Sequence, residues 1–289
     1  MCGIVGICNL DLSPVEKKSI QGMCDSIRHR GPDDEGIALF NNIGIGMRRL
    51  SIIDLSGGHQ PITNEDKSIW VVLNGEIYNY LELREGLVKS GHIFKTNSDT
   101  ESIVHLYEEY GIDCLQHLQG MFAFALFDAK ERALFIARDR LGIKPLFYYL
   151  DNERFLFASE IKAILSVDGV DRDMDFTAMD AFFTYTYIPA PKTIFKSIHK
   201  LEPGHFLLCN KGNITIKKYW DLYFRPDHDR KEKDIAEEFT ELFSKTVNSH
   251  LISDVPLGVF LSGGIDSSLV TALMRKNLNR SFDTFTIKL

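Results

Sequence analysis

The sequence predicts an α+β protein in two parts, and three observations carry that prediction. From residue 1 to 218 the apolar segments are short and separated by Gly, Asn and Asp punctuation, the pattern of antiparallel strands joined by turns. A few amphipathic segments with helical spacing interrupt them. After a strongly charged stretch, Arg225-Pro226-Asp227-His228-Asp229-Arg230-Lys231-Glu232-Lys233-Asp234, a strand, a helix and a second strand follow in βαβ order, which favours a parallel sheet. The chain therefore reads as a first domain over 1–218, a charged linker over 219–234 and the opening of an α/β domain over 235–289.

The elements follow in order. The first ten residues read as a buried strand, and Ser13-Pro14 opens a helical pattern through Ile20, Met23 and Ile27. Strands are expected over 37–40, 43–47 and 69–73, and Asn74-Gly75 reads by itself as a plain type I′ hairpin turn, which Asn-Gly favours strongly. A helix over 81–89 ends at Ser90-Gly91, and Ser98-Asp99-Thr100-Glu101 forms a capping sequence for a helix carrying Ile103, Leu106 and Tyr107. Strands resume over 121–127, 133–137, 146–150 and 155–158, with turns at Asp128-Ala129-Lys130 and Asp151-Asn152. Beyond the linker, 235–250 and 265–274 have helical periodicity, and 255–261 and 282–287 read as strands.

Composition narrows the function. Lys plus Arg (33) against Asp plus Glu (40) leaves a net charge of −7 without a basic stripe, so neither nucleic acid nor an anionic membrane surface is an expected partner. No apolar run is long enough to span a bilayer and no secretory leader is visible, so a cytoplasmic location is expected. Cys2, Cys8, Cys24, Cys114 and Cys209 show no CxxC or Cys/His spacing, which suggests neither a disulfide framework nor a zinc site. Small molecules are the expected ligands.

Cys2 follows the initiator methionine, so its removal would leave a thiol and a free α-amine on one residue. With ordinary pKa values near ~8.5 and ~8, the amine can carry the thiol's proton close to neutral pH, making a self-contained nucleophile and base. Taken alone, Cys2 reads rather as a small buried hydrophobe.

Six further words accompany it: Arg28-His29-Arg30-Gly31-Pro32-Asp33, Arg49-Leu50-Ser51-Ile52-Ile53-Asp54, Gln60-Pro61, Asn74-Gly75-Glu76-Ile77-Tyr78-Asn79, Ser98-Asp99-Thr100-Glu101 and Arg138-Asp139-Arg140-Leu141-Gly142-Ile143-Lys144-Pro145-Leu146. In that order, with Gly120-Met121-Phe122-Ala123-Phe124-Ala125 and Ala158-Ser159-Glu160, the chain resembles the class II glutamine amidotransferases, and more narrowly the glutamine-hydrolysing asparagine synthetases. The resemblance implies an N-terminal-nucleophile four-layer αββα sandwich followed by the start of an α/β pyrophosphate-loop ATP domain. It implies that Cys2 attacks the glutamine amide through a thioester, with Asn74 and Gly75 as oxyanion donors. Arg49, in preference to Arg48, would hold the α-carboxylate, Asp99 and Glu76 the α-ammonium, and Leu50, Ser51, Ile52 and Ile53 would flank the substrate. The plain structural alternative for Asp99 is a carboxylate at a helix N-terminus, worth only ~0.3–1 kcal/mol. Arg30 is expected to brace the loop around Cys2, and His29 is not needed as a base.

The second word, Val259-Phe260-Leu261-Ser262-Gly263-Gly264-Ile265-Asp266-Ser267-Ser268, has a buried strand, a Gly-rich turn and a helix start, a geometry suited to phosphate. It lacks the Gly-Lys-Ser/Thr ending of a Walker loop and resembles the pyrophosphate loop of enzymes that cleave ATP between the α and β phosphates. The resemblance implies that Leu261, Ser262, Gly263, Gly264, Ser267 and Ile287 serve ATP, with Leu257 near its edge, and that Asp266 serves Mg2+ and pyrophosphate. In the family, ammonia then attacks an aspartyl adenylate to make asparagine, so aspartate and ATP are implied beside glutamine. The family's synthetase domain would continue well beyond Leu289, which leaves a homodimer or a separate chain supplying the remainder as alternatives. A sugar or surface-polysaccharide acceptor and a non-synthesising truncated subunit are the competing readings.

Overall fold

The computed structural model describes residues 1–278 and 281–287. It divides into two compact units, 1–221 and 222–289.

The first unit opens with β1 (Gly3–Asn9), α1 (Lys17–Ser26), a single 3-10 turn at Arg28–Arg30, β2 (Asp34–Phe40) and β3 (Ile43–Arg49). Then come β4 (Ile62–Thr63), β5 (Ile69–Ile77), α2 (Tyr80–Lys89), α3 (Glu101–Tyr110), α4 (Cys114–His117), β6 (Gly120–Asp128) and β7 (Ala133–Arg138). It continues through β8 (Phe147–Leu150), β9 (Arg154–Ala158), α5 (Ile161–Leu165), α6 (Phe176–Tyr185), β10 (Ile198–Lys200), β11 (His205–Asn210) and β12 (Asn213–Lys218). Two six-stranded antiparallel sheets result, in orders β10-β8-β9-β1-β3-β2 and β12-β11-β7-β6-β5-β4. The sheets pack face to face through Ile4, Ile45, Met47, Val72, Ala125 and Ile136. On the outer face of the first sheet, Ile20, Met23 and Ile27 pack with Val5, Leu156 and Ile164 of its strands and α5. Helices cover both outer faces, the four-layer αββα architecture.

This stacking sets what each strand tolerates. β1 is buried along nearly its whole length because it lies between β3 and β9 with another sheet beneath it. Gly6 sits where a Cβ would fall 2.1 Å from the Phe157 ring, so the strand has no room for a side chain there.

The structure corrects several sequence expectations. The first helix begins at Lys17 rather than at Ser13-Pro14, because Asp11 accepts hydrogen bonds from the Ser13 N–H and hydroxyl and holds 11–13 in a turn. Asn74-Gly75 is no hairpin: β5 runs on to Ile77 and pairs with β6 from Ile69↔Asp128 to Ile77↔Gly120. The sequence pattern misled there because a polar residue and a glycine mark a turn only when nothing buries them, and Asn74 is fully buried. Ser98-Asp99-Thr100-Glu101 makes no capping box; Asp99 turns to the Ile77 N–H and Glu101 to the backbone of Lys95 and Thr96.

The second unit holds α7 (Glu232–Ser249), β13 (Gly258–Phe260), α8 (Ile265–Asn277) and β14 (Asp283–Phe285), with β13 and β14 parallel in the register Gly258↔Asp283. Both strands are shorter than their apolar runs predict. Ser253 turns the chain back on Val255, and Pro256 has no N–H to give a ladder. Val247, Leu273 and Met274 form a small core, while Phe260 and Ile265 stay 79% and 86% exposed, so this unit buries little by itself. Among the described residues, no helix is long and apolar enough to cross a membrane.

The tight contact at Gly6 is testable. Gly6→Ala is expected to destabilise the first unit by ~1–3 kcal/mol, the usual cost of overpacking a core. In the Gly6→Ala/Phe157→Leu double variant part of that loss should return, since the smaller side chain relieves the collision. Urea unfolding monitored on the first unit reads both effects, and additive losses would show that the two sites do not touch.

Candidate active site

Cys2 stands at the start of β1, and its carbonyl accepts a 2.8 Å hydrogen bond from Arg30 Nε. Arg30 also reaches Glu160 through Nη1 at 3.0 Å, tying the N-terminus to the end of β9. The bracing expected of Arg30 is thus present in the geometry. His29 stays half exposed and pairs with Glu160 at 2.9 Å, away from the thiol. The Cys2 sulfur receives the Leu50 N–H at 3.4 Å and faces the Leu50 carbonyl at 3.6 Å. Burial pushes the thiol's pKa up, so without a base it stays protonated at neutral pH.

Arg48 and Arg49 are neighbours at the end of β3, and strand alternation sends them to opposite faces. Arg48 pairs with Asp25 and Glu35 beside α1. Arg49 is buried and turns inward, its Nη2 donating to the carbonyls of Ile53 and Asp54 at 2.8 Å each. Gly58 permits this, because a Cβ there would lie 2.3 Å from Arg49 Nη2. A planar guanidinium anchored through one nitrogen keeps its other donors for a ligand carboxylate.

The edge of β5 supplies the far wall. β4 pairs with β5 only at Val71 and Trp70, leaving 73–77 without a partner strand on that side. Two side chains take the place of the strand: Gln60 Oε1 accepts from the Leu73 N–H at 2.7 Å, and Asp99 Oδ2 accepts from the Ile77 N–H at 2.8 Å. N–H groups of alternate residues point to the same edge of an antiparallel strand, so the Gly75 N–H points between them. Gly75 is required by packing rather than by ligand approach, since its Cβ would meet the Met121 carbonyl oxygen at 2.3 Å. The Asn74 carboxamide lies beside the Ser159 hydroxyl at 3.5 Å, with its Oδ1 buried and without a partner among the described residues.

These groups share one cavity of about 360 Å³, lined by Cys2, Arg49, Leu50, Ile52, Ile53, Asn74, Gly75, Glu76 and Asp99 among others. Ser51 does not line it; its N–H donates to Asp33. Gln60, Ser98, Thr100 and Lys144 do line it, although none of them is assigned to the ligand from the sequence. Burial raises the Asp99 carboxyl pKa, and burial together with nearby Asp99 raises that of Glu76. Lys144 is buried beside them, its ammonium disfavoured by burial and partly restored by Glu76. Met1 stands at the cavity mouth, and burial lowers the pKa of its amine.

In the second unit, Leu261 follows β13; its N–H donates to the Phe285 carbonyl of β14 and its carbonyl accepts from the Thr286 hydroxyl, while Ile287 is largely exposed. Gly263 has φ +82° with open space where a Cβ would be, and Gly264 precedes the first turn of α8. The Ser262 and Ser267 hydroxyls lie 3.0 Å apart. An open turn with hydroxyls at a helix N-terminus suits phosphate oxygens. Leu257 lies at the other end of β13, lining a cavity with Asp254, Val255, Pro256 and Phe282, so it does not join the turn. Asp266 offers a single exposed carboxylate in the first turn of α8, which would suit Mg2+ only together with nucleotide oxygens.

Residues 1–220 match the family described as "Glutamine amidotransferase domain", and residues 238–289 match that described as "Asparagine synthase". The chain is 40% identical over 99% of its length to asparagine synthetase [glutamine-hydrolyzing] 1 of Bacillus subtilis, covering 46% of that protein. It is 42% identical, again over 99% of its length, to a putative asparagine synthetase [glutamine-hydrolyzing] 2 of Methanocaldococcus jannaschii, covering 59% of it. The chain thus spans about half the length of these curated relatives. In fold it is similar to a glutamine phosphoribosylpyrophosphate amidotransferase from Bacillus subtilis, with a TM-score of 0.57 at 17% identity over 99% of this chain and 65% of that one. With a match that covers its whole first unit but one residue, the chain belongs to the glutamine amidotransferase domain family.

Proposed function

We propose that the first unit hydrolyses the side-chain amide of free glutamine to glutamate and ammonia. The observation that carries this reading is a single cavity holding a thiol, an inward guanidinium, two carboxyls and an outward strand N–H. Arg49 receives the α-carboxylate through the donors that its Nη2 contacts leave free, and Asp99 with Glu76 receives the α-ammonium. The Cys2 sulfur attacks the amide carbon. The new oxyanion takes hydrogen bonds from the Gly75 N–H and the Asn74 carboxamide. The thiol proton passes to the α-amine of Cys2 and then to the leaving nitrogen, so that the C–N bond breaks and ammonia departs from a glutamyl thioester. Water, deprotonated by the same amine, adds to the thioester; the C–S bond breaks, the sulfur regains a proton and glutamate leaves. Lys144 balances the charge that Glu76, Asp99 and the attacking sulfur bring into a site where burial favours neutral forms.

In the second unit, Leu261, Ser262, Gly263, Gly264, Ser267 and Ile287 would hold ATP, with Asp266 sharing Mg2+ with the phosphates. Bound there, the nucleotide would activate a carboxylate by adenylation. The names of the relatives favour aspartate as that carboxylate and asparagine as the product.

Cys2→Ala is expected to abolish ammonia release from glutamine, while Asn74→Ala lowers kcat by ~10²–10³ with KM little changed, the cost of one oxyanion donor. Ammonia release that survives Cys2→Ala would falsify the nucleophile.

The base exists only when Cys2 is the first residue, because with Met1 present its nitrogen is an amide. A chain keeping Met1, identified by intact mass, should bind glutamine with its KM-determining groups in place yet release no ammonia above background. Equal rates for the two forms would move the base elsewhere.

The raised carboxyls predict a pH dependence with a fixed sign. These carboxyls must be ionised to receive an ammonium and burial raises their pKa, so KM for glutamine should rise as pH falls through that raised range. Asp99→Asn should raise KM and flatten the profile. A KM that improves on acidification would take these carboxyls out of recognition.

A further inference from the structure

On the outer side of the first unit, away from the residues that line the cavity, two histidines and two glutamates converge. His105 and Glu108 project from one face of α3, His92 comes from the segment after α2, and Glu65 from the turn between β4 and β5. His105 Nδ1 lies 3.0 Å from Glu108 Oε2 and 3.5 Å from Glu65 Oε2, and His92 Nδ1 lies 3.4 Å from Glu65 Oε1 and 3.5 Å from Glu108 Oε2. All four donor atoms fall within 4.8 Å of one another. We propose that Glu65, His92, His105 and Glu108 form a binding site for a divalent transition metal, zinc being the ion their chemistry suits best.

The spacing supports this first. Metal bonds of about 2.0–2.2 Å at tetrahedral angles place ligand atoms about 3.4 Å apart, and the nitrogen–oxygen contacts of the cluster run from 3.0 to 3.5 Å, Glu65 meeting the two rings through different oxygens. Two neutral imidazoles and two carboxylates are a donor set that zinc accepts.

The groups behind the ligands supply a second, independent observation. A metal-bound histidine usually donates its other ring N–H to a carboxylate, which fixes the tautomer. His92 Nε2 lies 3.0 Å from Glu109 Oε1, and His105 Nε2 faces Glu101 Oε1 at 3.7 Å. The His92 ring is therefore backed by a carboxylate on the side opposite the cluster, and Glu101 stands near the other nitrogen of His105, beyond hydrogen-bond distance. His105 is fully buried and its Nε2 has no hydrogen-bond partner among the described residues. The carboxylates are oriented as well: Glu108 Oε1 accepts from Asn64 Nδ2 at 2.8 Å and Glu65 Oε1 from the Ile93 N–H at 2.9 Å.

Charge points the same way. Glu65, Glu101, Glu108 and Glu109 surround the two rings, while Lys95, close by, spends its ammonium on the carbonyls of Asn64 and Glu65. A divalent cation would neutralise what the lysine leaves. The competing occupant is a proton: burial opposes charge on His105, but Glu101 and Glu108 outweigh it and raise its pKa, so a protonated ion-pair network could fill the same space. The side chains of Glu65 and Glu108 are 31% and 24% exposed, giving an ion a way in. Once bound, it would fasten the α2–α3 connection to the β4–β5 turn, one end of the segment that delivers Asp99 to the cavity.

The test uses the untagged chain, stripped with chelator, reloaded with zinc chloride and desalted. Expected are one zinc per chain by elemental analysis and, with cobalt(II) instead, the strong visible bands of a four-coordinate ion. His92→Ala and Glu108→Gln should each weaken zinc at least tenfold in competition with a chromophoric chelator, and Glu109→Gln, which removes only a backing carboxylate, by about 10–100-fold. Circular dichroism identifies any variant that fails to fold, and Glu109→Gln keeps the comparison available because that residue lies outside the cluster. Zinc retained equally by the wild-type chain and its folded variants, or none retained by the wild type, overturns the site in favour of the proton-held network.

Discussion

The arrangement on which the candidate site depends is a strand edge left open. β4 is two residues long, so β5 passes beyond its partner and presents the N–H groups of Leu73, Gly75 and Ile77 to an edge without a ladder. Buried backbone donors must find acceptors. Gln60 and Asp99 serve two of them, from segments far away in sequence, and the donor at Gly75 is left facing the space beside Cys2. A longer β4 would satisfy that edge and close the site. The need to satisfy the edge also explains why Asp99 does not cap α3, since its carboxylate does more for the fold by accepting from the neighbouring strand.

The opposite wall is held by cations rather than by a strand. Arg30 fastens the Cys2 carbonyl to Glu160, and Arg49 fastens the 53–54 turn through one nitrogen. Both are nearly buried, which makes each partner costly to remove, because a buried guanidinium without an acceptor loses far more than a surface ion pair gains. The result is a pocket whose carboxyls are pushed toward their neutral forms and whose thiol stays protonated until a base takes its proton.

The same helix carries the second cluster. α3 begins two residues after Asp99 and ends beyond Glu108, and Glu101, in its first turn, both stands near His105 and ties down the backbone of Lys95 and Thr96. The 95–101 segment is therefore held from the cavity side by Asp99 and from the outer side by Glu101.

Much of the site was legible in the sequence because its chemistry is concentrated in short words. The resemblance that those words carry named Cys2, Arg49, Asn74-Gly75, Glu76 and Asp99, which line one cavity, and the alternation of strands and turns gave the antiparallel class. The βαβ order likewise announced a parallel pair. What tertiary structure alone decided concerns groups whose roles depend on partners far away. Nothing local says that Asn74-Gly75 continues a strand, that Ser51 turns to Asp33 while Lys144 turns inward, or that Leu257 sits at the far end of β13. The four ligands proposed for a metal lie in three segments with no regular spacing. The sequence determined which residues could do chemistry, since that follows from side-chain type and short spacing; the packing of two sheets decided which of them meet, since that follows from register and burial between distant segments.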